Sequence, residues 1–136
     1  MRYTRQLATA ALIVAAGLGM GACSAHPGAA VVSSSGSYSN EEVAQAAQQM
    51  SVLSGGQQIS DSQIRSQLVT LPLLEAAGAS VGAEVSDEQI DQIAARASEQ
   101  LGDQSLGTLG PATRATVKSI LLTQNLNQVA QADPSV

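Results

Sequence analysis

One local signature occurs three times in this chain and dictates most of what it can fold into. It is an apolar residue, a serine, two polar residues, Glu or Gln, and a second apolar residue. The copies are Tyr38-Ser39-Asn40-Glu41-Glu42-Val43, Ile59-Ser60-Asp61-Ser62-Gln63-Ile64 and Val85-Ser86-Asp87-Glu88-Gln89-Ile90. In each, the serine hydroxyl is placed to accept from the backbone N–H three residues on. The Glu or Gln is placed to reach back to the serine's own N–H, and the flanking apolar pair closes over the turn. Acids in the first turn suit the positive end of the helix dipole. Three helix starts are therefore written into the sequence. The segments between them differ and show no constant period, so they do not form a repeat array.

The helices that follow have readable faces and stops. The first is predicted from Asn40 to about Leu53, with Val43, Ala46, Ala47, Met50 and Leu53 on one side, ending at Gly55-Gly56. The second begins after Ser60 and carries Ile64, Leu68, Leu71 and Leu74 along one stripe, which Val69 and Leu73 widen enough to face two neighbours. Asp61 and Arg65 stand four apart in the favourable order. Pro72 cannot donate to the Leu68 carbonyl, which predicts a kink there in preference to a break, and Gly82 supplies a left-handed stop. The third helix is predicted from Asp87 to Leu101, burying Ile90, Ile93, Ala94, Ala97 and Leu101. Gly102 to Gly110 reads as a connection that lacks the lysine and the strand of a phosphate loop. Pro111 suits the first position of a fourth helix reaching about Ala130, with Val117, Ile120, Leu121 and Val129 inward. Its Arg114 and Lys118 are expected on a solvated face.

Composition supports an all-α fold, a small irregular bundle of four helices with the second one kinked. Of 136 residues, 44% are hydrophobic but only 1% are aromatic, with no Phe or Trp, so the core must be Leu, Ile, Val and Ala. Strands favour aromatic and β-branched residues, and close helix packing suits this set better. The formal charge of −5 argues against nucleic acid as a partner, because phosphates demand a basic patch.

The N-terminus has the three parts of an export signal: Arg2 and Arg5, fourteen largely apolar residues from Leu7 to Met20, and small residues before Cys23. The run is shorter than the roughly 20 residues that span a bilayer as a helix. It resembles a bacterial lipoprotein signal, with Met20 where that family prefers Leu. The resemblance implies that residues 1–22 are removed and that Cys23 is the site of lipid attachment, acylated with palmitate-like chains and anchoring an extracytoplasmic protein to the cell membrane. An ordinary signal peptide with a chance cysteine is the alternative. Residues 23–37, rich in Ser, Gly, Ala and Pro, are expected to be a flexible tether interrupted by a short strand at Ala29-Ala30-Val31-Val32. The helical domain is expected over 38–131, with 132–136 as a tail. The single cysteine leaves no disulfide framework, and His26 is the only histidine.

Gly82-Ala83-Glu84-Val85-Ser86-Asp87-Glu88-Gln89-Ile90, preceded by Leu73-Leu74-Glu75-Ala76, is similar to the N-terminal domain of the SurA family of envelope chaperones and of related lipoprotein foldases. Ala30-Val31-Val32 stands for that family's first strand, Tyr38-Ser39 for its first cap, and Ser119-Ile120-Leu121-Leu122 for its closing helix. The likeness covers about residues 29 to 130. Ser33-Ser34-Ser35-Gly36 replaces the usual Asn-Gly turn, and with His26 as the one histidine no histidine-dependent parvulin domain, and so no isomerase, is expected.

The resemblance implies a membrane-tethered, non-catalytic, chaperone-like module that binds unfolded or extended segments of exported proteins through an apolar groove. Leu68, Leu71, Leu73 and Leu74 are its expected peptide-binding residues. The alternative is a structural or scaffold lipoprotein whose apolar face is filled by a homodimer or a partner protein. No cofactor is expected. Asp87, Glu88 and Asp91 are the acids that a helix start selects rather than a metal site. An enzyme is the weakest reading, since the serines serve as caps and tether and no base accompanies them.

Overall fold

The computed structural model describes residues 29–34, 36–102 and 106–133. Two short strands come first, β1 (Ala29–Ser33) and β2 (Gly36–Ser39), followed by four helices, α1 (Asn40–Leu53), α2 (Asp61–Val81), α3 (Asp87–Leu101) and α4 (Pro111–Ala132). The described body is an all-α bundle with one antiparallel hairpin at its start, paired Val31 to Tyr38 and Val32 to Ser37. The expected leader, Cys23, His26 and the start of the expected tether lie outside the described residues, as do residues 134–136.

All three predicted caps form. Ser39 N–H donates to Glu42 Oε2 at 2.8 Å, Ser60 N–H to Gln63 Oε1 at 2.8 Å, and Ser86 N–H to Gln89 Oε1 at 2.9 Å. Each N–H at the third helical position donates back to the serine hydroxyl, at 3.1, 3.3 and 3.4 Å. The apolar residue after each box, Val43, Ile64 or Ile90, is at most 1% exposed, so each cap fixes the direction of a helix and sinks its first turn into the core.

The hairpin belongs to the folded body. Val31, in the stretch expected as tether, is buried among the core residues, while Val32 on the opposite face of the strand is 52% exposed. The strand packs on α2, and Tyr38 leads straight into the first cap. α2 stays helical through Pro72, and Gly82 caps it in the left-handed region at φ 70°.

The largest interface joins α2 to α4, with α1 packed on both. Its closeness follows from small residues. A Cβ built on Gly78 would lie 2.9 Å from Leu122 Cδ2 and 3.1 Å from the Ala83 carbonyl oxygen, so a larger residue there would force Leu122 and the Ala83 backbone to give way. Across the interface α4 buries Thr113, Thr116 and Ser119 beside Leu122. Their hydroxyls are all partnered: Thr116 donates to the Ala112 carbonyl at 2.7 Å, and Ser119 to Gln67 Oε1 at 2.7 Å. The sequence pattern predicts Val117, Ile120, Leu121 and Val129 inward. Of these only Val117 is buried, and the hydroxyl-bearing face with Leu122 lies deeper.

Gln49 holds the α3–α4 connection. From the buried side of α1 its amide nitrogen donates to the carbonyls of Leu106 (3.2 Å) and Thr108 (3.0 Å). Its oxygen accepts from Gly110 N–H (3.1 Å) and Thr113 Oγ1 (2.5 Å). The connection carries Leu106 and Leu109 into the core, and this one side chain partners three of its backbone groups, among them those of the buried Leu106 and Gly110.

Candidate functional site

The four leucines expected to bind peptide do not share one open surface. Leu68 and Leu71 are 0% and 2% exposed and form part of the core. Leu74 packs partly against that core, and Leu73 is 70% exposed on the far side of the helix. Successive helical residues are 100° apart, so a helix that buries positions 64, 68 and 71 turns 69 and 73 outward. Val69, 63% exposed, lies on that outer side with Leu73 instead of widening the buried stripe. The groove expected beside Leu68 to Leu74 is closed by the protein's own interior.

An apolar groove does exist, at another place. α3 was expected to bury five residues, but only Ile90 is buried. Ile93, Ala94, Ala97 and Leu101 remain half-covered. The reason is local: α3 makes its one substantial helix contact with α4, and two of those four positions are alanines, too small to fill the space beneath. The result is a groove of about 390 Å³, walled by Ile93 and Ala97 from α3, Val117, Ile120 and Leu121 from α4, and Met50 and Leu53 from the end of α1. A smaller cleft of about 190 Å³ shares Ile93, Arg96 and Leu121 with it and adds Gln92 and Asn125. Gln100 and Gln124 also border the main groove, and Arg96 is the one charged residue on it among the described residues. An apolar floor with an amide rim can take apolar side chains while offering donors and acceptors to the backbone that carries them.

The larger cleft, about 640 Å³, is chemically different. Glu75, Glu84, Ser86, Gln89 and Lys118 line it together with Val85 and Leu122. Its cation is engaged, since Lys118 Nζ donates to Glu75 Oε1 at 2.6 Å. The other basic residue of α4, Arg114, pairs with Asp91 at 2.7 Å and Asp87 at 3.5 Å. Arg114 and Lys118 thus stitch α4 to α3 and to α2, a correction to the solvated role expected for them. They stand one turn apart on α4, but α3 and α2 each place a carboxylate within reach. Arg65, four residues after Asp61, donates instead to Asn40 Oδ1 at 3.3 Å.

Tyr38 lies beside this network. Burial above all, then the nearby Glu75 and Glu42 carboxylates, pushes its phenol above the ordinary value of 10.0, with Lys118 opposing. The Arg114 guanidinium is likewise held above its usual range, chiefly by its hydrogen bond to Asp91. Among the described residues, no group of three or more His, Cys, Asp or Glu could hold a metal ion, and no helix is long and apolar enough to cross a membrane. Cys23, the expected lipid attachment site, lies outside the described residues.

Most of the groove's walls read in the sequence as core: Ile93, Ala97, Ile120 and Leu121 each fall on a face that the pattern predicts to be buried. The signal that they are half-covered is the run Ile120-Leu121-Leu122, three apolar residues around a wide arc of α4, facing a helix whose apolar side is half alanine.

The candidate site is therefore an apolar groove on a small helical bundle. No family model, curated protein or solved structure matches the chain.

Proposed function

We propose that this protein is a chaperone-like binding module that holds extended apolar segments of unfolded exported proteins in the groove between α3, α4 and the end of α1. The observation that carries this reading is the half-covered apolar face of α3 above Val117, Ile120 and Leu121. The amide rim favours an extended chain as the occupant, because unpaired backbone N–H and C=O groups need partners wherever water is displaced. The export signal and the likeness of residues 29–130 to the SurA N-terminal domain point to exported polypeptides. The same N-terminal features support a lipid-anchored, extracytoplasmic protein that meets its clients at the membrane. The reading involves no chemistry and no cofactor.

The test is aggregation suppression. The protein is expected to keep a chemically unfolded client soluble at near-equimolar ratio without turnover of any added nucleotide. No suppression at a severalfold excess contradicts the proposal.

A further inference from the structure

Arg96 stands apart from the other basic residues of the bundle. Besides it, the described residues include Arg65, Arg114 and Lys118. Lys118 pairs with Glu75, Arg114 pairs with Asp91 and Asp87, and Arg65 donates to Asn40 Oδ1. Arg96 makes neither a hydrogen bond nor an ion pair with any described residue, although the chain carries eleven acids against six basic residues. It is exposed, and its guanidinium donors are open to a ligand.

This cation stands where two clefts meet. The apolar groove and the smaller cleft beside it share Ile93, Arg96 and Leu121. On one side of Arg96 the path is apolar, floored by Ala97, Val117 and Ile120. On the other side it is lined by amides, of which Gln92 and Asn125 make no hydrogen bond with any described residue. Among the described residues no carboxylate lines either cleft, whereas Glu75 and Glu84 line the largest one. A guanidinium presents a planar fork of donors that matches a carboxylate, and the bond gains strength at the edge of an apolar floor, where less water competes.

We infer that the groove selects extended segments in which apolar side chains are followed directly by an internal Asp or Glu, with Arg96 taking the carboxylate. This rests on the groove's proposed role as a peptide site and names what it prefers. Charge complementarity identifies the occupant. The chain's excess of acid repels a carboxylate over most of its surface, so an acid on the segment has one favourable place to lie, and that place fixes the register of the apolar residues beside it. An internal acid fits better than a terminal carboxylate because the path continues beyond Arg96. Gln92 and Asn125 can pair with the backbone of a chain that runs on, whereas a segment ending at Arg96 would leave both unused. One guanidinium among amides supplies too little charge for a nucleic acid or an anionic bilayer.

The test is fluorescence anisotropy of the full chain with end-blocked, labelled peptides that share a Leu-Val-Leu core followed by Glu, Gln or Lys. The Glu peptide is expected to bind about threefold tighter than the Gln peptide, the scale of one partly exposed ion pair, and the Lys peptide more weakly than either. Arg96→Gln is expected to bring the Glu and Gln peptides to equal affinity while leaving the Gln peptide unchanged, and Arg96→Glu to make the Lys peptide the tightest. Arg96 is exposed and without a partner among the described residues, so both variants keep the fold. Equal binding of the Glu and Gln peptides to the unmodified protein overturns the preference for acid, and binding of both that Ala97→Glu abolishes would leave the groove itself standing. A peptide ending in a free carboxylate directly after the Leu-Val-Leu core that binds as tightly as the Glu peptide overturns the choice of an internal acid. Binding of none of the peptides overturns the groove and this preference together.

Discussion

Replacing Gln49 with leucine tests whether one polar side chain holds the α3–α4 connection against the core. The substitution keeps the volume and removes four hydrogen bonds at once, to Leu106, Thr108, Gly110 and Thr113. The groups left behind are not equivalent. Thr108 is exposed and its carbonyl returns to water, whereas the Leu106 carbonyl and the Gly110 N–H belong to buried residues. At ~1–1.5 kcal/mol for each buried backbone group and somewhat less for the Thr113 hydroxyl, Gln49→Leu costs about 3 kcal/mol. A domain of this size has ~5–15 kcal/mol in total, so the variant folds but is visibly weakened. With a urea dependence of ~1.5 kcal/mol per molar, the midpoint of unfolding falls by about 2 M. Hydrogen exchange at Gly110 should accelerate beyond what global unfolding explains, since the connection opens first. A loss below ~0.5 kcal/mol would refute the argument, because those buried groups would then have found other partners at no cost.

Alanine at Gly78 should destabilise although it stands inside a helix. Alanine normally gains about 1 kcal/mol over glycine there. The new methyl would crowd Leu122 and the Ala83 backbone, and overpacking costs ~1–3 kcal/mol, so thermal unfolding of Gly78→Ala should shift down or at best not rise; a clear rise would contradict the close α2–α4 approach. The phenol of Tyr38 should ionise above pH 10 in the folded protein, and a late transition in an absorbance titration should vanish in Tyr38→Phe. Because the folded-state value is the raised one, this group's contribution to stability is intact below the unfolded value of 10.0 and is lost as pH rises through the folded value. A normal Tyr38 titration would refute its partial burial beside Glu75 and Glu42.

The local instructions of this fold are legible in the sequence because they act over a few residues. Ser39, Ser60 and Ser86 cap their helices through contacts no more than four positions away, and Gly82 stops α2 by its own backbone freedom. What could not be read depends on which elements meet. The Ile64, Leu68, Leu71 stripe is plain in the sequence, but whether it forms a groove or a core depends on α4 and the hairpin lying across it. Arg114 and Lys118 look solvated until α3 brings Asp91 and α2 brings Glu75 within reach. Gln49 is the clearest omission. A glutamine on a surface-facing pattern has no sequence mark that separates it from Gln48, and only the return of the chain at Leu106 to Gly110 gives it partners. The apolar groove was missed for a related reason: its residues were recognised as apolar faces, but how far α3 covers them is a matter of packing.

The most direct test of the groove compares two single substitutions for binding of a fluorescently labelled unfolded client. Ala97→Glu puts a carboxylate over the apolar floor between α3 and α4, and Leu73→Glu puts one on the outer face of α2. Both sites tolerate the charge without loss of core packing, since neither residue is buried. The account predicts that Ala97→Glu weakens binding at least about tenfold, a change of ~1.4 kcal/mol, while Leu73→Glu binds as the unmodified protein does. Wild-type affinity in Ala97→Glu together with a loss in Leu73→Glu would contradict it.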